Sequence, residues 1–331
     1  MTIDKKFAAK ILSKFDKARI LVIGDLILDE FIWGDADRIS PEAPVPVVWA
    51  KSRSYLPGGA SNVASNIASL GAKAVLCGVI GEDRNGQILK EKLHEKHVNC
   101  DGVITDPLRL TTLKTRIIAA HQQVVRLDWE SVDQLLLDRA KVIIEAIEGR
   151  INEIDALIIE DYGKGLITPF LLKKVIALAK KHKKIITVDP KVEHFNYYKG
   201  VTAMTPNEKE ASAGSGIKIA TDEDVEKVGY KLLKSLKCEG VLITRGEKGM
   251  RLFRNDETVS IPTVAQEVFD VSGAGDTVIS VFTLALSCGA KMRHAAELAN
   301  VAAGIVVGKV GVAVVTKEEI LQGLGQLKYS R

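Results

Sequence analysis

An acidic side chain beside a glycine-rich turn is the strongest chemical signal in the chain. The run Asp270-Val271-Ser272-Gly273-Ala274-Gly275-Asp276-Thr277 leads directly into an apolar stretch from Val278 to Leu286. Such a pattern opens a helix whose first N–H groups lack helical partners and point outward at the positive end of the dipole. Glycines let an anion approach those amides closely. A turn of this kind can stabilise charge on a phosphoryl group in transfer. Asp276, just inside it, could take the proton from an attacking hydroxyl, an effect worth about 10²–10⁴ in rate. Asp is also common as a simple helix cap. The turn alone does not separate the two roles.

Three further clusters could serve such chemistry. Pro57-Gly58-Gly59-Ala60-Ser61-Asn62 is a tight turn that presents Asn62 in the first turn of a helix, where amides suit neutral sugar hydroxyls. Thr205-Pro206-Asn207-Glu208-Lys209-Glu210 follows one strand and opens a helix. Thr244-Arg245-Gly246-Glu247-Lys248-Gly249 closes another strand with two glycines. Each taken alone is an ordinary cap or turn. Asn300-Val301-Ala302-Ala303-Gly304 reads by itself as a core helix with small residues.

The elements that must position these residues are legible as alternating strands and helices. Short apolar runs occur at 20–23, 74–77, 156–159, 185–188 and 241–244, with helical patterns at 133–149, 168–183 and 222–236. Strands apolar on both faces are covered by helices on both sides. The alternation predicts an α/β chain with a mainly parallel sheet. Ligands bind such sheets at the carboxyl ends of strands. Those ends carry Gly24-Asp25, Glu160-Asp161, Asp189-Pro190 and Thr244-Arg245-Gly246. Residues 31–56 and 109–129 break the pattern and read as extended strands outside the main sheet. Residues 273–327 read as mostly helical.

Composition bounds the function classes. The 331 residues are 46% hydrophobic and 27% charged, which suits a globular chain with a substantial core. A net charge of +4 with interleaved signs does not point to nucleic acid or membrane. No stretch approaches the roughly 18 apolar residues of a membrane span. Cys77, Cys100, Cys238 and Cys288 lack metal or redox spacing, as in a reducing cytoplasm. No Walker-type P-loop and no dinucleotide fingerprint is present. His94 and His97 sit three apart on an expected surface helix, with no further zinc ligands nearby.

Together the motifs resemble those of the ribokinase-like (PfkB) carbohydrate kinases. Residues 270–276 resemble the second family signature, with Val271 in place of its Thr, and residues 57–64 the first. The resemblance implies one ribokinase-like, three-layer α/β/α domain over residues 1–331, with a small β-sheet lid. It implies that Asp276 is the base and that Gly273, Ala274 and Gly275 form an anion hole. Gly58, Gly59, Asn62 and Asp25 would bind sugar, with Asp29 a companion. Asn207 and Glu210 match an Asn-x-x-Glu motif that organises Mg²⁺ through water. Thr244, Gly246 and Gly249 would border the nucleotide phosphates and ribose, and Asn300 the adenine. ATP is then the donor, with Mg²⁺ and allowance for a monovalent cation.

A narrower resemblance spans residues 15–325. Arg38-Ile39-Ser40-Pro41-Glu42-Ala43-Pro44-Val45-Pro46-Val47, residues 122–128, Asp161-Tyr162-Gly163-Lys164-Gly165, Asp189-Pro190-Lys191 and residues 306–309 are similar to the D-glycero-D-manno-heptose-7-phosphate kinases. Glu160 stands where that branch more usually has Ser. The resemblance implies phosphorylation of the sugar phosphate at O1 in ADP-heptose synthesis. Arg126 and Lys191 are the candidates to hold the substrate phosphate, because Arg binds phosphate bidentately and both are cations. Lys164 and Arg116 stand in reserve. The branch is often fused to a nucleotidyltransferase with a His-x-Gly-His motif, which is absent from these residues, so the expectation is a stand-alone kinase or a kinase half. The two β segments are expected to close over the sugar and to pair with a second subunit as a homodimer. Competing readings are a kinase of another sugar or of a nucleoside, or a catalytically silent binding protein of the same fold.

Overall fold

The computed structural model describes residues 3–120, 122–264, 268–309, 311 and 313–326. The outermost residues of the expected domain, 1–2 and 327–331, lie outside that range. The first half of the chain runs α1 (Lys5–Leu12), β1 (Arg19–Gly24), β2 (Leu26–Ile39), β3 (Pro46–Gly59), α2 (Ala60–Ser69), β4 (Lys73–Gly81), α3 (Arg84–Glu95), β5 (Asn99–Asp106), β6 (Thr112–Ala119) and β7 (Gln122–Trp129). It continues α4 (Leu137–Arg150), β8 (Ala156–Glu160), α5 (Pro169–Lys181), β9 (Ile185–Asp189), β10 (Ala203–Met204), α6 (Glu208–Ser215), α7 (Asp222–Leu236) and β11 (Gly240–Thr244). Last come β12 (Met250–Phe253), β13 (Thr258–Ile261), α8 (Ala274–Ser287), α9 (Met292–Val306) and α10 (Lys317–Gln326).

Nine strands form one sheet in the order β13-β12-β11-β10-β9-β8-β1-β4-β5. Pairing is parallel from β11 through β5 and antiparallel only at β11–β12 and β12–β13. Strand β1 shows why two helical layers are needed. Its Ile20 and Val22 join one buried cluster, with Val63 and Ile67 of α2 and Phe282 of α8. Its Leu21 and Ile23 join another, with Ile143 and Ile147 of α4 and Val175 of α5. Alternate side chains point to opposite faces, so each face buries its own core.

The β1–β8 junction is where the chain changes direction. From β1 the chain proceeds outward through β4 and β5, then returns to build β8, β9, β10 and β11 on the other side. The crevice at such a reversal is the ligand site of open parallel sheets.

A second sheet of four strands has the order β3-β2-β6-β7. It confirms that 31–56 and 109–129 lie outside the main sheet, and shifts their edges. Strand β2 begins at Leu26, because Asp25 alone turns the corner from β1. Residues 40–45, with Pro41 and Pro44, are the turn of the hairpin rather than a strand, and Pro46 opens β3, since proline is tolerated at a strand's first residue but not within a ladder. His97 also differs from expectation. The helix α3 ends at Glu95, and His97 has a left-handed φ of 58°.

Candidate active site

Asn62 and Asp276 lie 214 residues apart in sequence and touch in space. Gly59 (φ 55°) precedes α2 and Gly273 (φ 78°) precedes α8, both in the positive-φ region that glycine tolerates. Those turns aim Asn62 and Asp276 at one another from adjacent helices. Asn62 Nδ2 donates to Asp276 Oδ2 at 2.6 Å. Tyr162 Oη donates to Asp276 Oδ1 at 2.9 Å. Asp276 is buried, and burial is the main reason its pKa rises to about 6. The Asn62 and Tyr162 hydrogen bonds and the Lys114 charge oppose that rise, while Asp29 adds to it. A carboxylate tuned this way is ionised at neutral pH yet basic enough to accept a proton. Of the turn amides, Ala274 N–H is engaged with Val271 O at 3.2 Å. The expected three-amide anion hole therefore has one donor already in use.

Asp25 sits at the corner between β1 and β2. Its oxygens accept from the backbone N–H groups of Tyr162 (2.9 Å), Lys164 (3.1 Å) and Leu166 (3.2 Å). The loop after β8 is thereby fastened to β1, and Tyr162 is held against Asp276. Burial first, and then Asp161, lifts the Asp25 pKa to about 6 against the pull of those amides. The sequence offers Asp25 as a sugar ligand. In the structure this loop takes three of the carboxylate's roughly four acceptor positions.

The small sheet contributes a cationic wall. Asp29 on β2 accepts from Arg116 of β6 at 2.5 Å, and the Asp29 carboxylate fills the space a Cβ at Gly58 would need. Lys114, opposite Asp29 in the β2–β6 register, stands over the Tyr162 ring at 5.4 Å. Burial, and then the Lys164 charge, lowers its pKa, and Arg126 acts in the same direction. Lys164 also pairs with Glu130 at 2.6 Å. Arg126 on β7 is exposed and held by Asp128 at 2.8 Å. Sequence reasoning named Arg126, Lys164 and Arg116 but missed Lys114 and Tyr162. Strand alternation within 109–129 does not tell whether Lys114 faces inward until β6 is paired with β2.

The other predicted residues line the far strand ends. Asn207 caps α6: its Oδ1 accepts from Glu210 N–H, and Glu210 Oε2 accepts from Asn207 N–H, both at 2.9 Å. This capping box consumes one oxygen of each residue. Burial raises the Glu210 pKa, opposed by Asn207 and Lys191. Lys191 therefore lies between Glu210 and Gly163, against which its stem packs. Thr244 bridges to Asn207. Gly246 (φ 57°) and Gly249 (φ 79°) shape the next turn, and Arg245 between them pairs with Glu208 and Asp222, both at 2.6 Å. Asn300 on α9 donates to Pro262 O at 2.8 Å and so anchors the loop after β13.

Behind Asp276 lie two further acids, noted from sequence only as residues at strand ends. Glu160 ends β8 and Asp189 ends β9, and they are register partners. Carboxylate oxygens of Glu160, Asp189 and Asp276 fall within 4.8 Å of one another. Burial first, and neighbouring carboxylates next, raise the pKa of Glu160 and of Asp189 well above normal. Asp189 also feels Glu210, so the acids run continuously from the capping box to Asp276. An oxygen-rich, anionic donor set of this kind fits Mg²⁺.

Comparison with known proteins agrees with this geometry. A model of the pfkB family of carbohydrate kinases matches residues 17–319. The bifunctional protein HldE of Geotalea uraniireducens is 45% identical over 323 residues, covering 97% of this chain and 66% of that protein. The HldE of Geobacter sulfurreducens is 46% identical over 306 residues, covering 92% and 62%. The chain thus spans a little under two thirds of the length of these relatives. Phosphofructokinase-2 from Escherichia coli, solved in complex with potassium, shares the fold at a TM-score of 0.79 and 20% identity, over 93% of this chain and 98% of that one. Arabidopsis thaliana ribokinase, complexed with ribose and ATP, does so at a TM-score of 0.74 and 20% identity, over 93% and 98%. With the family match running through both glycine turns, the Asn-x-x-Glu segment and Asp276, the chain belongs to the PfkB family of carbohydrate kinases.

Proposed function

We propose that the chain is one kinase unit that transfers the γ-phosphoryl of ATP to O1 of D-glycero-D-manno-heptose 7-phosphate. The observation that carries this reading is the cationic wall centred on Lys114, whose charge acts on Asp276 and which Lys164 and Arg126 flank. A neutral sugar needs no such wall, whereas a sugar phosphate does. Its phosphate would be met by Lys114 and Arg126, with Lys191 approaching from the main sheet.

The chemistry assigned to each residue follows from its surroundings. Asn62 and Tyr162 fix the orientation of the Asp276 carboxylate. Asp276 receives the proton of the attacking hydroxyl as the new O–P bond forms and the bond from the γ-phosphorus to the bridging oxygen breaks, releasing ADP. The turn amides of Gly273 and Gly275 would meet the phosphoryl oxygens, joined by that of Ala274 once it leaves Val271 O. Thr244, Gly246 and Gly249 border the donor, and Asn300 steadies its far wall. Bound Mg²⁺ supplies charge neutralisation at the phosphates, and Asn207 and Glu210 would hold it through water. Gly58, Gly59 and Asn62 lie on the sugar side, and the small sheet acts as a lid. The chain is placed in the cytoplasm, where ATP is available.

Substrate profiling tests the reading. ATP consumption with heptose 7-phosphate, and far less with ribose or fructose 6-phosphate, is expected. The reverse preference would reassign the chain to another sugar. Lys114→Met should raise KM for the phosphorylated sugar by about 10–100-fold, the loss of one charge-assisted contact, with KM for ATP unchanged.

A further inference from the structure

Glu160 is fully buried, and no hydrogen-bond donor reaches either of its carboxylate oxygens. The only group in range is the Asp189 carboxylate, which can bond to it only when one of the two carries a proton. Asp189 has a single weak donor, Thr205 Oγ1 at 3.4 Å. Asp276 completes the group, with its own oxygens taken by Asn62 and Tyr162. Among the described residues, no Lys or Arg forms an ion pair with any of the three. The Lys114 charge acts on Asp276 without pairing to it, and three carboxylates packed together with no ion-paired cation are strongly unfavourable away from water. One shared proton would relieve one charge and leave two. A divalent cation relieves two.

We propose that Glu160 and Asp189 bind a divalent cation of the Mg²⁺ or Mn²⁺ class directly, beside Asp276 and separate from the Asn207–Glu210 pair. The oxygens lie within 4.8 Å of one another, so a small inward turn of the side chains brings a pair within the roughly 4 Å that Mg²⁺ bonds of about 2.0–2.1 Å can span. The position is chemically apt. Asp189 Oδ2 would lie 3.5 Å from a Cβ built on Gly275, so the acids abut the glycine turn itself. A cation there adds fixed positive charge at the rear of that turn and keeps Asp276 ionised. Glu160 completes the site: it is the buried carboxylate whose two oxygens have no donor of their own.

The test needs neither sugar nor nucleotide, so its failure is distinct from failure of the heptose reading. Nucleotide-free protein is titrated with Mn²⁺, and free Mn²⁺ is followed by electron paramagnetic resonance. Wild type should take up one ion per chain saturably. Glu160→Gln should weaken that uptake at least about tenfold, and Asn207→Ala should leave it unchanged. In thermal melts, Mg²⁺ should stabilise wild type but not Glu160→Gln, which should already melt higher in metal-free buffer. Should Glu160→Gln not melt cooperatively, the smaller Glu160→Ser carries the same comparison. Equal Mn²⁺ uptake by wild type and the Glu160 variant, or no saturable uptake by wild type, would overturn the proposal in favour of a shared proton.

Discussion

Asp276 carries two opposing demands. As a base it must be ionised, while burial favours the neutral form. With its pKa at about 6, kcat/KM should fall as pH drops below about 6, where the base of the free enzyme becomes protonated. Asp25 reaches about 6 as well, so the acid limb should be steeper than a single titration. The same shifts set stability. A folded pKa above the ordinary 3.8 means that the native state binds more protons than the unfolded chain. Stability from this source is therefore full below about pH 4 and lost as pH rises through about 6. At neutral pH the ionised Asp276 costs on the order of 2–3 kcal/mol. Asp276→Asn should accordingly lose turnover by at least about 10² while melting a few degrees higher. An unchanged turnover number would remove Asp276 from its proposed role.

At the scale of elements, the site is assembled by turns at strand ends. The Gly58-Gly59 turn lets β3 pass against Asp29 and then starts α2 with Asn62 facing inward. A methyl group at position 58 would collide with the Asp29 carboxylate and disturb its pairing with Arg116. Gly58→Ala should raise KM for the sugar with little change in KM for ATP, read by steady-state kinetics with each substrate varied. The turns were legible from sequence because Gly, Pro and Asn punctuate the chain wherever backbone geometry is special. Bonding within them was not. Asn207 and Glu210 fit a nucleotide-side motif, yet locally they form a capping box, and both descriptions use the same atoms. Asp25, read as a sugar ligand, spends its oxygens on three amides from a loop that begins 137 residues later.

The molecule as a whole presents a small sheet whose outer strand is poorly covered. Every residue of β7 is exposed, including Val124, Val125, Leu127 and Trp129. An exposed apolar edge strand invites another strand, and the proposed partner is a second copy of the chain pairing through the lid. Sedimentation at micromolar concentration should show a dimer, and Val125→Glu with Leu127→Glu should give a monomer that still melts cooperatively. A wild-type monomer would count against this arrangement.

The sequence by itself determined the alternation of strands and helices, the strand ends that carry acids, and the motifs that place the chain among carbohydrate kinases. These follow from local periodicity and from residues whose backbone needs are special, and both are written in consecutive positions. Only the tertiary structure decided which side chains meet. It joined Asn62 and Tyr162 to Asp276, turned Lys114 inward over Tyr162, committed Asp25 to a loop, and gathered Glu160, Asp189 and Asp276 at neighbouring strand ends. Contacts between residues about 30 to 210 positions apart depend on sheet order and register, and no local pattern encodes those. The glycine-turn acid from which the chemistry was first inferred thus keeps its place, with its pKa set by partners that only the fold supplies.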